Sequence, residues 1–201
     1  MALKPEILAE IHRYWFGELK SPDDMPADDK VQMWFRRSDE TDDRIRDVFG
    51  RYLAPASETE WDLKALSRQQ RVGLVVLLDQ FPRNIFRSSP DAFAFDSKAR
   101  AVARPVAAGW RDLYVVEQAF AFLPFEHSED VADQDYAVQL CAESALAAPA
   151  AHKEMCRRTL YFATKHRDII REFGRFPHRN LTLGRQSTPD ELKFLESGRG
   201  F

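Results

Sequence analysis

The long amphipathic stretch between His152 and Phe173 limits most strongly what this chain can fold into. Its apolar positions recur at the three- and four-residue spacing of one helix face, and Gly174 follows directly, as is typical of a helix end. The stripe consists of Met155, Thr159, Phe162, His166, Ile169, Ile170 and Phe173. No stretch of the chain shows the sustained alternation of a strand bounded by hairpin turns. The sequence therefore predicts an all-α protein.

Helix start and stop signals recur along the rest of the chain. Pro5 and Gly17 bound a first helix, and Thr188-Pro189 with Glu191 combines an N-cap, a first-position proline and a capping box. Further helices are expected over 28–36, from 39 or 41, over 68–80, from 96, over 112–123, and from 128 or 129 to 146. In this scheme Pro82 and Pro124 end their helices, because proline removes a backbone donor. We expect eight to ten helices packed as antiparallel pairs.

Size and composition indicate one domain. The 201 residues, 44% of them hydrophobic, suit a single domain over 1–201, with the loop and short helix of 175–201 packing back on the core. With 11 prolines and 8 glycines the chain is poor in linker-forming residues. Its net charge of -3 argues against nucleic-acid binding through bulk electrostatics.

The same sequence features favour a cytoplasmic location. The N-terminal residues lack an apolar signal core, and no apolar run approaches the ~20 residues that span a bilayer. Cys141 and Cys156 are expected to be buried reduced thiols, since two cysteines make no disulfide framework. No membrane partner is expected, and the sequence gives no oligomeric state.

Two similar polar motifs carry most of the groups able to bind a ligand. Leu-Leu-Asp-Gln-Phe-Pro-Arg-Asn-Ile-Phe-Arg covers 77–87, and Phe-Pro-His-Arg-Asn covers 176–180. Arginine forks bind carboxylate and phosphate groups, and an acidic residue four positions earlier orients them. The ligand-binding candidates in and beside these motifs are Asp79, Gln80, Arg83, Asn84, Arg87, Arg179, Asn180 and Arg185. We expect 83–84 and 178–180 to meet in the fold.

Glu126-His127 follows an apolar helix and adds a carboxylate and an imidazole, which makes it the expected third wall of such a site. Glu126 is therefore a further ligand-binding candidate. His127 and His178 are the catalytic candidates, since imidazole exchanges protons near neutral pH. His166, alone on an apolar stripe, is expected to be a hydrogen-bonded core histidine.

Sequence signatures of metal and cofactor sites are missing. The chain has no His-Glu-x-x-His, no paired Cys-x-x-Cys and no EF-hand loop. It also has no Gly-x-Ser-x-Gly, no glycine-rich phosphate loop and no Rossmann fingerprint. We predict no metal and no cofactor.

The motifs together resemble a bacterial family catalogued as domain of unknown function 924. The resemblance rests on 77–87, 122–130 and 173–195, and extends to Tyr-Trp-Phe-Gly at 14–17, Trp-Phe at 34–35 and 93–96. Tyr14 stands where the family pattern suggests Phe. The resemblance implies an all-helical superhelix similar to tetratricopeptide-repeat (TPR) proteins, without a clear sequence repeat. It implies no reaction, cofactor or partner.

Three functional hypotheses follow. In the first, the protein binds a small anionic ligand in a polar pocket at helix ends, either as an enzyme or as a binding protein. The second is a TPR-like interaction module that holds a peptide or protein in an apolar or aromatic-lined groove. The third makes the polar motifs purely structural. The sequence does not decide between an enzyme and a binding protein.

Overall fold

The computed structural model describes residues 3–198 and contains only helices and connecting turns over that range. This confirms the predicted all-α class. The ten α-helices of the described chain are α1 (Pro5–Phe16), α2 (Asp28–Phe35), α3 (Asp39–Phe49), α4 (Leu53–Glu58), α5 (Arg68–Ile85), α6 (Asp96–Ala108), α7 (Val115–Glu126), α8 (Val131–Ala147), α9 (Lys153–Phe173) and α10 (Pro189–Glu196). The TPR-like superhelix stays a prediction.

Helix α5 is central, because it packs against α1, α3, α4, α6 and α7 and is apolar on nearly all sides. It comes very close to α1 at Gly73. A Cβ atom built there would lie 2.0 Å from the backbone oxygen of Leu8 on α1. Only glycine allows the two backbones to come this close. The contact fixes the position of α1 on α5.

Two of the predicted helix ends are wrong. Helix α5 continues through Pro82 to Ile85, and α7 continues through Pro124 to Glu126. A proline inside a helix loses one backbone hydrogen bond, but burial of apolar side chains in the following turn compensates: Ile85 and Phe125 are both buried. Arg83 therefore lies on the last turn of a continuous helix and not in a loop.

Several helix starts are stabilised by capping side chains. Ser67 forms a capping box with Gln70 at the start of α5, and the predicted capping box of Thr188 and Glu191 at α10 is confirmed. Helix α8 is capped by Asp130, one or two residues after the predicted start.

The C-terminal segment packs on α9 through a small apolar cluster of its own. Phe176, which precedes a 3₁₀ turn at Pro177–Arg179, and Phe194 of α10 are buried against Ile169 and Ile170. Residues 199–201 of the predicted C-terminal segment, like 1–2 of the predicted domain, lie outside the described residues. The single-domain boundary of 1–201 stays a prediction.

Both cysteines are free and buried, as expected. Over residues 3–198, no helix combines the length and the apolar character needed to cross a membrane.

Candidate functional site

Asp79 and His127 form the centre of a polar cluster between α5 and the end of α7. Nδ1 of His127 lies 2.9 Å from Oδ1 of Asp79, whose side chain is 1% exposed. Burial alone would raise the pKa of Asp79, but Arg83 and His127 lower it overall, so the carboxylate is ionised. An ionised carboxylate only accepts hydrogen bonds. His127 therefore carries its hydrogen on Nδ1, and Nε2 is the nitrogen able to accept a proton.

Arg83 joins Asp79 to a second carboxylate at the start of α6. Its Nη1 and Nη2 donate to the two oxygens of Asp96 at 2.9 and 3.1 Å, a bidentate pair. Nη1 also donates to the backbone oxygen of Asp79 at 2.6 Å and lies 3.5 Å from its Oδ1. The guanidinium of Arg83 thus pairs with Asp79 and Asp96 and does not present its two terminal nitrogens to an external anion.

Arg179, in the Pro177–Arg179 turn, reaches the same carboxylate from the C-terminal segment. Its Nη1 donates to the backbone oxygen of His127 at 3.0 Å and lies 4.0 Å from Oδ2 of Asp96. The guanidinium carbon is 4.7 Å from the ring centre of Phe93 and 4.4 Å from that of Phe176. Burial, and then the charge of Arg83, lower the pKa of Arg179 to about 10.

The guanidinium of Arg179 is incompletely hydrogen-bonded. The residue is 7% exposed, and its Nε has no hydrogen-bond partner in the described part of the chain. Burying a charged donor without an acceptor costs free energy, and such groups are few in folded proteins. The arrangement leaves one buried N–H of Arg179 without an acceptor.

Glu126, His166 and His178 surround this central cluster, which we define as Asp79, Arg83, Asp96, His127 and Arg179. The predicted hydrogen bond of His166 is present: Nδ1 donates to the backbone oxygen of Phe162 at 2.8 Å. The ring centre of His166 is also 6.3 Å from that of His127.

Burial changes the proton affinity of these surrounding groups. Burial and the negative charge of Asp79 raise the pKa of Glu126 to about 8. Burial lowers the pKa of His166 to about 3, and burial and the charge of Arg179 lower that of His178. Burial and the charge of Arg83 lower the pKa of His127, outweighing the effect of Asp79. At neutral pH the three imidazoles are therefore neutral and Glu126 is protonated.

Two of the ligand-binding candidates in the first motif lie in a different cluster. Asn84 Nδ2 and Arg87 Nη2 donate to Oδ1 of Asp42 on α3, at 2.8 and 2.9 Å, and Nε of Arg87 donates to Oδ2. Gln80 donates to Oδ2 of Asp79 at 2.6 Å and so supports the central cluster from outside. One sequence motif thus divides between two separate polar groups.

The second motif divides in the same way. Arg185 makes a bidentate pair with Glu129, at 2.6 and 3.0 Å, and its Nε donates to Oδ1 of Asn180 at 2.9 Å. Asn180 donates in turn to Glu191 at 3.3 Å, which also accepts from Arg175. These contacts hold the C-terminal loop together and join it to Glu129, just before α8.

The structure therefore brings Arg83 and Arg179 onto one carboxylate, while Asn84 and Asn180 lie in other clusters. The sequence analysis places Asp96 only at a helix start, although its position in the family-like segment 93–96 was a signal. Phe93, in the same segment, was not selected as a site residue either. His166 was recognised only as a core residue, since its proximity to His127 is a property of the fold.

The acidic and basic side chains of the central cluster are equal in number. Its two carboxyl groups, Asp79 and Asp96, lie beside the two guanidinium groups of Arg83 and Arg179. Across residues 3–198 no group of three or more His, Cys, Asp or Glu side chains is placed to hold a metal ion. The side chains of the central cluster include hydrogen-bond donors and an imidazole, groups that can interact with an anion and exchange a proton.

Comparison with known proteins adds relatives but no activity. A family model described as "Bacterial protein of unknown function (DUF924)" matches residues 11–199. A solved structure, the protein of unknown function ATU0120 from Agrobacterium tumefaciens, is similar with 32% sequence identity and a TM-score of 0.78. The similarity covers 96% of this chain and 98% of that one. No curated protein matches.

Proposed function

This chain belongs to the bacterial DUF924 family of unknown function, and we propose that it binds a small anionic molecule at the central cluster. Arg179 is the anion-binding group in this proposal, and His127 is the acid–base group. Arg83, Asp96 and Asp79 hold these two side chains in place.

The observation that carries the proposal is the unpaired Nε of Arg179. Its residue is almost fully buried, and a guanidinium has five N–H donors that normally find acceptors. A carboxylate or phosphate oxygen would supply the missing acceptor, and Arg is the side chain best suited to both groups. A ligand that accepts a hydrogen bond from the Nε–H of Arg179 thus explains why this donor has no partner in the protein.

The Asp79–His127 pair supports an acid–base role for the same site. The carboxylate holds the imidazole by Nδ1 and fixes its tautomer, as in other Asp–His pairs that transfer protons. The side chain of His127 is 14% exposed, so it is not completely closed off from solvent. Among the described residues no serine, threonine or cysteine hydrogen-bonds His127. The pair therefore suits proton transfer or water activation better than a side-chain nucleophile.

The two other hypotheses predict different features. An interaction module needs an apolar or aromatic-lined groove, but the open groove of about 660 Å³ between α9 and α10 is lined mainly by charged side chains. A purely structural role is favoured by the bidentate pair of Arg83 and Asp96, which needs no ligand. That role leaves the unpaired donor of Arg179 without a purpose.

A thermal-shift experiment with simple anions tests the proposal. Acetate and inorganic phosphate are titrated against the wild-type protein, Arg179→Gln and Arg87→Gln. Arg87 is the matched control because it also pairs with a mostly buried carboxylate, Asp42, in a separate cluster. A ligand that binds only the folded state raises Tm with concentration. We expect a rise for wild type and Arg87→Gln and none for Arg179→Gln. Equal rises in all three proteins would overturn the proposal.

A further inference from the structure

We propose that the anion bound by Arg179 is a small monocarboxylate, held by the Nε and Nη2 edge of the guanidinium. The inference rests on the proposed function, because it names the chemical class of the ligand at the same site. It separates a planar carboxylate with one negative charge from phosphate and other tetrahedral anions, all of which an arginine can bind.

Within residues 3–198, one nitrogen of the Arg179 guanidinium makes a hydrogen bond and the other two make none. Nη1 donates to the backbone oxygen of His127 at 3.0 Å and lies 4.0 Å from Oδ2 of Asp96. Nε has no partner, and Nη2 makes no hydrogen bond in this range either. The N–H groups of Nε and Nη2 point in the same direction, so they form an edge with two donors. On a side chain that is only 8% exposed, this edge lacks an acceptor.

Two other arginines of the chain show which group such an edge binds. Nε and Nη2 of Arg175 donate to the two oxygens of Glu191, at 2.6 and 2.8 Å. Nε and Nη2 of Arg87 donate in the same way to the two oxygens of Asp42. In each pair a single carboxylate satisfies both donors of the edge. The edge of Arg179 has the same two donors and lacks the carboxylate, which a ligand would supply.

The neighbours of this edge favour a ligand with only two oxygens to satisfy. Phosphate and sulfonate groups carry at least one oxygen beyond the two that a guanidinium edge binds, and a buried oxygen without a donor costs free energy. The neighbouring guanidinium of Arg83 already donates to both oxygens of Asp96. The rings of Phe93 and Phe176, whose centres lie 4.7 and 4.4 Å from the Arg179 guanidinium carbon, carry no donor. A carboxylate leaves no oxygen beyond the edge.

The charge of the central cluster favours the same ligand. Its carboxyl and guanidinium groups are equal in number, so each charge on the ligand is added to a site without an excess of cations. A monocarboxylate adds one negative charge, which a single proton taken up by His127 would cancel. Phosphate carries up to two negative charges near neutral pH. Because the cost of moving an ion out of water rises with the square of its charge, phosphate is the more costly anion to bury here.

Calorimetric titration of the full chain with three small anions at neutral pH tests this inference. Acetate is planar with one charge, methanesulfonate is tetrahedral with one charge, and inorganic phosphate is tetrahedral with a higher charge. We expect acetate to bind about tenfold more tightly than the other two, the effect of one buried acceptor left without a donor. Similar or tighter binding of methanesulfonate or phosphate would overturn the carboxylate assignment and leave anion binding in place. If no anion binds, the proposed function fails together with this inference.

Arg179→Lys tests the two-donor edge itself, because lysine keeps the positive charge but has no pair of parallel donors. We expect this variant to bind acetate more weakly and to lose the preference for acetate over methanesulfonate. Arg87→Lys is the matched control, since Arg87 uses the same edge on Asp42 in a separate cluster, and it should keep the wild-type preference. An unchanged preference in Arg179→Lys would overturn the inference. If that variant does not fold, the ranking of the three anions on the wild-type protein still decides.

Discussion

The Nδ1 hydrogen of His127 is held by the carboxylate of Asp79 at 2.9 Å, although the two residues are 48 positions apart in the chain. The pair joins α5 to the end of α7. The backbone oxygen of His127 then accepts from Arg179, so the same residue also anchors the C-terminal segment. The protonation state of His127 and the stability of the fold around it are therefore coupled.

Asp79→Asn should strongly destabilise the protein. The variant removes a buried charge while the partly buried Arg83 and His127 keep their places, and breaking a buried ion pair from one side costs about 3 kcal/mol or more. Chemical denaturation measures the loss. Asp190→Asn is the control, because Asp190 forms an exposed pair with Lys193 and should cost well under 1 kcal/mol. Similar small losses in both variants would contradict the central role of Asp79.

The free energy of unfolding should fall as pH rises from about 4.5 to about 8 through the contribution of Glu126. Its pKa is raised to about 8 in the folded protein from 4.5, so the folded state binds more protons than the unfolded state in this window. The loss amounts to a few kcal/mol by linkage. Unfolding measured across this window should show a flatter dependence for Glu126→Gln. An equally steep fall in that variant would assign the effect to other groups.

Anion binding should be accompanied by proton uptake at His127. The central cluster has balanced charge, so an added anion favours the imidazolium and raises the pKa of His127, which burial and Arg83 lower in the free protein. Calorimetric titrations with acetate in two buffers of different ionisation enthalpy measure the uptake. His127→Gln should bind acetate with less uptake. The same uptake in that variant would exclude His127 as the acceptor.

Gly73→Ala should disrupt the packing of α1 on α5. The new Cβ would lie 2.0 Å from the backbone oxygen of Leu8, and a backbone atom cannot move aside cheaply. Overpacking of this kind costs about 3 kcal/mol. At Gly50 the added Cβ would meet only the side chains of Ile85 and Arg46, at 3.6 and 3.9 Å, so Gly50→Ala is the matched control. Thermal unfolding of the two variants should differ clearly, and equal Tm values would refute the close contact.

The sequence predicted the helices better than it predicted their ends. Local signals placed α1, α9 and α10 well, since Pro5, Gly174 and Thr188 act within one or two turns. The prediction that Pro82 and Pro124 end their helices was wrong, because tertiary burial of the next turn outweighs one missing hydrogen bond. That burial depends on contacts which local sequence does not contain.

The candidate site shows the same limit. The arginines and asparagines of the two motifs indicated that polar clusters form there, but the partners of the arginines are distant in sequence. These pairs are Arg87 with Asp42, Arg83 with Asp96 and Arg185 with Glu129. Carboxylates such as Asp42 and Asp96 lie at helix starts, where a cap is the ordinary explanation. Only the packing of α3 and α6 against α5 reveals their pairing.

NMR of the arginine Nε–H groups tests the central claim most directly. The Nε–H of Arg179 has no acceptor in the described chain, whereas the Nε–H of Arg185 already donates to Asn180. On titration with acetate or phosphate, the Arg179 signal should move downfield to saturation while the Arg185 signal stays in place, because only the first gains a hydrogen bond. An Arg179 signal that does not move at any concentration of either anion would contradict the proposed anion-binding site.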